Sequence, residues 1–210
     1  MIKKAEILAA LFVVLSLWTG SLRAGVITIY LTAEVTYVDD LYDLLGGKIA
    51  VGDIITGSYN YDSDTPDTNP SVTVGDYQHY DPPYGINLST GTLAFQTDPD
   101  YVDFLSEILN DHTGIDGYLL RSYNNLPLPG DIEVEHISWQ LGDYSMNALS
   151  STALPTSPPV LEDWEDNYLL MSFGYKGSSM IGTTVTSAIP ESATVLLLTL
   201  GGLALTKRRR

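Results

Sequence analysis

Residues 27–37 alternate without a break, with Ile27, Ile29, Leu31, Ala33, Val35 and Tyr37 on one side and Thr28, Tyr30, Thr32, Glu34 and Thr36 on the other. A period of two sends successive side chains to opposite faces, so this stretch predicts a strand with one face buried. The same reading predicts strands at 53–61, 71–78, 85–89, 92–97, 117–123, 133–141, 168–173 and 180–187. Turn-forming clusters separate them: Thr65-Pro66-Asp67-Thr68-Asn69-Pro70, Asp81-Pro82-Pro83, Leu126-Pro127-Leu128-Pro129-Gly130 and Pro155-Thr156-Ser157-Pro158-Pro159. One stretch carries two patterns. Asp98-Pro99-Asp100 has the form of a helix N-cap, with Tyr101, Leu105, Ile108 and Leu109 sharing a helical face, while 104–109 also reads as a buried strand that suits its neighbours. Short strands rich in Thr, Val, Ile and Tyr predict an all-β fold, an antiparallel β-sandwich or jelly roll.

Two apolar runs stand outside that pattern. Residues 7–18 follow Lys3 and Lys4 and precede Leu22-Arg23-Ala24, the three parts of a secretory signal peptide covering 1–24. Residues 193–206 form a 14-residue apolar run that ends in Lys207, Arg208, Arg209 and Arg210. As a helix this run covers roughly 21 Å against a hydrocarbon core of about 30 Å, so it enters a membrane but spans one poorly. The four cations hold its end on the cytoplasmic side as a membrane stop. The chain thus divides into a signal helix (1–24), a β-rich ectodomain (25–187) and a hydrophobic tail (188–210), and it is expected to be exported.

The tail, with Pro190-Glu191-Ser192, Ala193-Thr194, Gly201-Gly202 in the apolar run and the basic end, resembles the C-terminal signal of the PEP-CTERM proteins of Gram-negative bacteria. Ser192 stands where that family most often has a second proline. The resemblance implies recognition by an exosortase, a membrane-embedded cysteine transpeptidase-like enzyme. It would cleave near the motif and release or transfer the protein to the cell surface or outside. A plain C-terminal membrane anchor without processing is the alternative reading of the same residues. The segments 57–62, 117–123, 136–141, 153–155 and 158–161 resemble the β-rich ectodomain often carried by that family, which implies a sandwich and no assigned activity.

Charge sharpens the division. The whole chain carries a formal −16, yet within 25–189 only Lys48, Arg121 and Lys176 stand against 24 acidic residues, a net −21. Such a surface repels phosphate backbones and excludes nucleic acid as a partner, while favouring solubility and divalent cations. Cysteine is absent although the signal peptide leads to a disulfide-permissive compartment, so packing alone must stabilise the domain.

Three groups could carry chemistry. Asp62, Asp64 and Asp67 offer hard oxygen ligands suited to calcium, although the spacing is not that of an EF-hand and aspartate also serves turns by itself. Asp131, Glu133 and Glu135 at alternate positions would share one face of a strand. That arrangement resembles the catalytic strand of laminarinase-type glycoside hydrolases, with the first two identities exchanged, and implies Asp131 as nucleophile and Glu135 as acid. The main reading of the same residues is an acidic, solvated strand face. His79, His112 and His136 lack ligand spacing, there is no Gly-x-Ser-x-Gly elbow or phosphate-binding glycine loop, and no cysteine nucleophile exists. All 14 tyrosines fall within the ectodomain, which suits stacking on sugar rings of an extracellular polysaccharide as well as strand packing. The expected function is a surface or matrix protein, structural or carbohydrate-associated, with no cofactor required and calcium an option; the alternative is a secreted polysaccharide hydrolase.

Overall fold

Each alternating segment becomes a strand in the computed structural model, which describes residues 25–191. The strands are β1 (Val26–Asp39), β2 (Ile54–Asp62), β3 (Val74–His79), β4 (Gly85–Ser89), β5 (Ala94–Gln96), β6 (Phe104–His112), β7 (Ile115–Ser122), β8 (Val134–Asp143), β9 (Asp166–Phe173) and β10 (Ser179–Pro190). The expected signal helix, the apolar run 193–206, Ser192 and the basic residues Lys207, Arg208, Arg209 and Arg210 lie outside the described residues. The doubtful stretch is a strand. In β6 burial falls on Phe104, Ser106 and Ile108, a period of two, and Tyr101 is exposed instead of sharing a helical face with them. β10 runs past the expected strand end at 187, through Ala188 and Ile189 to Pro190.

All ten strands pair antiparallel in one sheet, in the order β3-β6-β7-β8-β9-β10-β1-β2-β4-β5. β2 and β8 are four places apart in this order. At about 4.8 Å per strand their backbones would lie near 19 Å apart on a flat sheet. Yet the rings of Tyr59 in β2 and Trp139 in β8 meet with centroids 5.8 Å apart, and the Tyr59 hydroxyl is 3.0 Å from that of Tyr118 in β7. The sheet therefore curls until its halves face each other across one core. The pattern predicts a sandwich or jelly roll; the described residues form one continuous, curled antiparallel sheet.

The core follows from the alternation. Ile29, Leu31, Ala33 and Val35 of β1 and Ile55, Tyr59 and Tyr61 of β2 point inward, opposed by Ile137, Trp139 and Leu141 of β8 and Leu169, Met171 and Phe173 of β9. Strand twist begins the curl, and register shifts at Thr32/Ala33, Val35/Tyr37, Leu109/His112 and Val134/His136 increase it. Gly57 occupies an inward position of β2 where any Cβ would collide with the backbone of Asn87 and Leu88 in β4. Only glycine permits that approach.

Two buried carboxylates tie the segment after β8 to the sheet. Asp116 and Asp143 are cross-strand partners in β7 and β8. Asp116 accepts the N–H groups of Asp111 and Leu149 at 2.8 and 2.9 Å, and Asp143 accepts those of Ser145, Asn147 and Ala148 at 2.8, 2.7 and 3.0 Å. These donors, led by the Asn147 N–H, hold the Asp143 carboxyl at about 2, below the usual carboxylate range. A depressed folded pKa gives stabilisation that is complete above the unfolded value and disappears as pH falls towards the folded one. Asp143→Asn is accordingly expected to lower Tm at pH 7, with the gap from wild type narrowing as pH falls from about 4 towards 2. Thermal melts of both proteins across that range check it.

Candidate functional site

The side chains best arranged for ligand contact surround an open cleft of about 460 Å³ where the β5–β6 connection meets the end of β7 and the start of β8. Asp98 and Tyr101 come from the first segment, Tyr123, Asn124 and Asn125 from the second, and Glu133, Val134 and Glu135 from the third. Backbone pairing brings the three together. Asp98 N–H donates to Asn124 O at 3.0 Å, Tyr123 N–H to Asp103 O at 3.0 Å, and Leu126 N–H to Gln96 O at 2.9 Å. Thr97 and Asn125 form a lone antiparallel bridge, under which the Thr97 and Ser122 hydroxyls meet at 2.7 Å. Asn125 Nδ2 donates to the carbonyls of Ser122 and Val134 at 3.1 and 3.3 Å, fastening the end of β7 to the start of β8.

The Tyr101 connection is shaped by its own sequence. Asp98 Oδ1 accepts the Asp100 N–H at 2.9 Å and Asp98 O accepts that of Tyr101 at 3.2 Å, so the N-cap signal builds a turn, and β6 follows instead of a helix. The turn leaves Tyr101 71% exposed, facing a cleft that also holds the 42% exposed Tyr123. Val134 is buried beneath them, while Glu133 and Glu135 remain exposed. Two tyrosine faces can stack against sugar rings, and the exposed Asn124 amide and three carboxylates can hydrogen-bond with hydroxyl groups, while the Asn125 amide is spent on the backbone. The carboxylates disfavour an anionic polymer at the same place.

The proposed catalytic strand is altered. Asp131 lies before β8 at φ 59°, in the left-handed region, and does not line the cleft. Glu135 occupies the bulge between the pairs Val134–Phe173 and His136–Ser172. Glu133 and Glu135 share the cleft and Asp131 is outside it, so the three-carboxylate face expected from alternation is not formed. The bulge and the positive-φ turn are its physical reason. Glu135 also leans on the turn at Gly177 (φ 64°), where a Cβ would strike its carboxylate and the Ser172 hydroxyl.

The carboxylates of Asp62 and Asp67 serve local hydrogen bonds, and that of Asp64 is exposed. Asp62 Oδ1 accepts the Asp64 N–H at 2.9 Å and Oδ2 accepts the Tyr84 hydroxyl at 3.1 Å. Asp67 Oδ1 accepts the N–H groups of Asn69 and Asp76 at 2.8 and 3.0 Å, joining this turn to the edge strand β3. Among the described residues no three histidine or carboxylate side chains gather where they could hold a metal ion. A melting temperature that rises with millimolar calcium and falls back with chelator would support calcium at Asp62, Asp64 and Asp67, and one unmoved by either would rule it out. The histidines are apart. His79 is buried against Tyr84 and Phe104, with Nε2 accepting the Asp62 N–H at 3.1 Å, and burial pushes its imidazole down towards the neutral form. His112 Nδ1 lies 3.1 Å from the Thr73 hydroxyl, and His136 sits half-buried in β8.

The segment expected to serve as a sorting motif, Pro190-Glu191-Ser192, begins inside the sheet. Pro190 is the last residue of β10, opposite Ile29 of β1, and Glu191 N–H donates to Thr28 O at 3.1 Å. Because Thr28 and Glu191 are joined by a hydrogen bond, the next pair, Ile29–Pro190, falls at a non-bonded position with the proline nitrogen turned away from β1. Among the described residues that side has no strand beside it, since the β9 pairing of β10 ends at Thr183–Leu169, and a proline is tolerated there. Among the described residues no helix is long and apolar enough to cross a membrane.

Sequence reading marks Glu133 and Glu135, counts Tyr123 among the tyrosines, offers Tyr101 a helical face as one of two patterns and names Asp98 only as an N-cap; it misses Asn124 and Asn125. The polar dipeptide Asn124-Asn125 directly after a strand was the available signal. Comparison of the chain with protein-family models, with curated proteins and with solved structures finds no match.

Proposed function

We propose that this is an exported bacterial protein of the cell surface or extracellular matrix, processed by an exosortase through Pro190-Glu191-Ser192 and its tail, whose domain holds an extracellular polysaccharide in the Tyr101–Tyr123 cleft. The observation that carries the binding half is the convergence of two exposed tyrosines, the exposed Asn124 amide and exposed carboxylates on one open cleft. The sorting half rests on the order of motif, apolar run and basic end. With a domain charge of −21 the polymer is neutral or carries amino groups, because uronate or phosphate polymers would be repelled. Retention of the purified domain on immobilised neutral and amino polysaccharides, compared with uronate polymers, tests the binding half. Retention on the first group is expected; preference for the anionic group would contradict it.

The shared position of Glu133 and Glu135 supports a second reading, cleavage of the bound polymer. Retaining hydrolases need two carboxyl groups about 5 Å apart. Turnover by wild type that Glu135→Gln abolishes would favour this reading, and no turnover on the same polysaccharides would count against it.

A further inference from the structure

We infer that the β1–β10 pairing gates processing of the sorting signal: the folded sheet holds the first two motif residues, and the enzyme reaches them only when the last turn of β10 lifts off β1. The inference rests on reading the tail as an exosortase signal.

No linker separates domain and motif. β10 ends at Pro190, and the next residue, Glu191, is bonded to Thr28. A cleaving enzyme must accommodate its substrate backbone, and a strand hydrogen-bonded to a neighbour has one edge already occupied. The extent of the opening is set by visible contacts. β10 is flanked on both sides only as far as Val185, whose C=O and N–H are bonded by the Asn167 side chain at 2.8 and 3.3 Å. Among the described residues β1 is the only strand partner of β10 beyond that point. Val185 is buried, Ile189 and Pro190 are exposed, and Ala188 is partly packed on the core. Residues 186–191 can therefore peel from β1 while the Val185 clamp and the core stay in place. Local opening of this kind precedes global unfolding wherever burial is slight and the strand is an edge. With fast opening and closing, processing follows the open population.

Tyr30 and Ile189 provide the test. They are direct partners in the register and both are exposed, and the natural chain has no cysteine to compete. A cross-strand pair lies near 5.5 Å between Cα atoms, within disulfide reach. The full-length Tyr30→Cys/Ile189→Cys precursor, followed for loss of its tail in envelope fractions of its own host, is expected to be processed about tenfold more slowly than either single variant when oxidised, with the rate restored by reductant. A short Gly/Ser spacer between Ser187 and Ala188, which frees the motif from β1, is expected to speed processing. Equal rates for oxidised and reduced pairs, with no gain from the spacer, would overturn the gate while leaving the sorting reading intact. A wild-type protein that is never trimmed would overturn both.

Discussion

Trp139→Ala is expected to destabilise the domain by about 3–5 kcal/mol, the largest loss for a single side chain in this fold. The indole is fully buried where the two halves of the curled sheet meet. Its ring meets those of Tyr59 and Tyr118 edge-on, at 5.8 and 5.9 Å with interplanar angles of 61° and 74°. Its Nε1–H donates to Asn167 Oδ1 at 3.0 Å, and Asn167 in turn bonds both backbone groups of Val185. Truncation therefore opens a cavity and removes a donor from a network that joins β8, β9 and β10. Trp139→Phe keeps most of the volume and loses the donor, so its loss should be smaller, about 1–3 kcal/mol. Urea denaturation of the three proteins measures both steps. A Trp139→Ala variant as stable as wild type would mean that the halves do not pack as described.

The second large effect concerns binding. Tyr101→Ala with Tyr123→Ala is expected to weaken polysaccharide retention by about ten- to a hundredfold, because each exposed ring contributes stacking and apolar contact that alanine lacks. Both rings are exposed, so Tm should move little, which separates loss of contact from loss of fold. Tyr175→Ala is the control, exposed in the turn after β9 and not part of the cleft. Affinity electrophoresis in gels containing the retained polymer reads the effect. An unchanged mobility shift in the double variant would assign binding to another surface.

Local periodicity made the strands legible. The inward set of β1, from Ile29 to Val35, was readable residue by residue because one face is buried and the other is polar. The 98–109 stretch was ambiguous because Asp98-Pro99-Asp100 suits a helix N-terminus and a turn equally, and only pairing of β6 with β3 and β7 decides between them. Long-range order was not readable. Nothing local in 74–79 points to β6 as its partner, or joins the first strand to the last. The cleft was half legible for the same reason. Glu133 and Glu135 were visible as an acidic alternation, but the bulge at Glu135 and the left-handed Asp131 depend on tertiary pairing, and so does the arrival of Tyr101 beside Tyr123.

In the proposed function the domain is delivered by a removable address, and β10, the last strand of its sheet, runs into the start of that address at Pro190. The intact mass of the mature protein purified from its own host tests this most directly. The predicted mass lacks residues 1–24 and terminates near Pro190-Glu191-Ser192, leaving β10 complete on the product. A mass that includes the apolar run and still ends at Arg210 would contradict it.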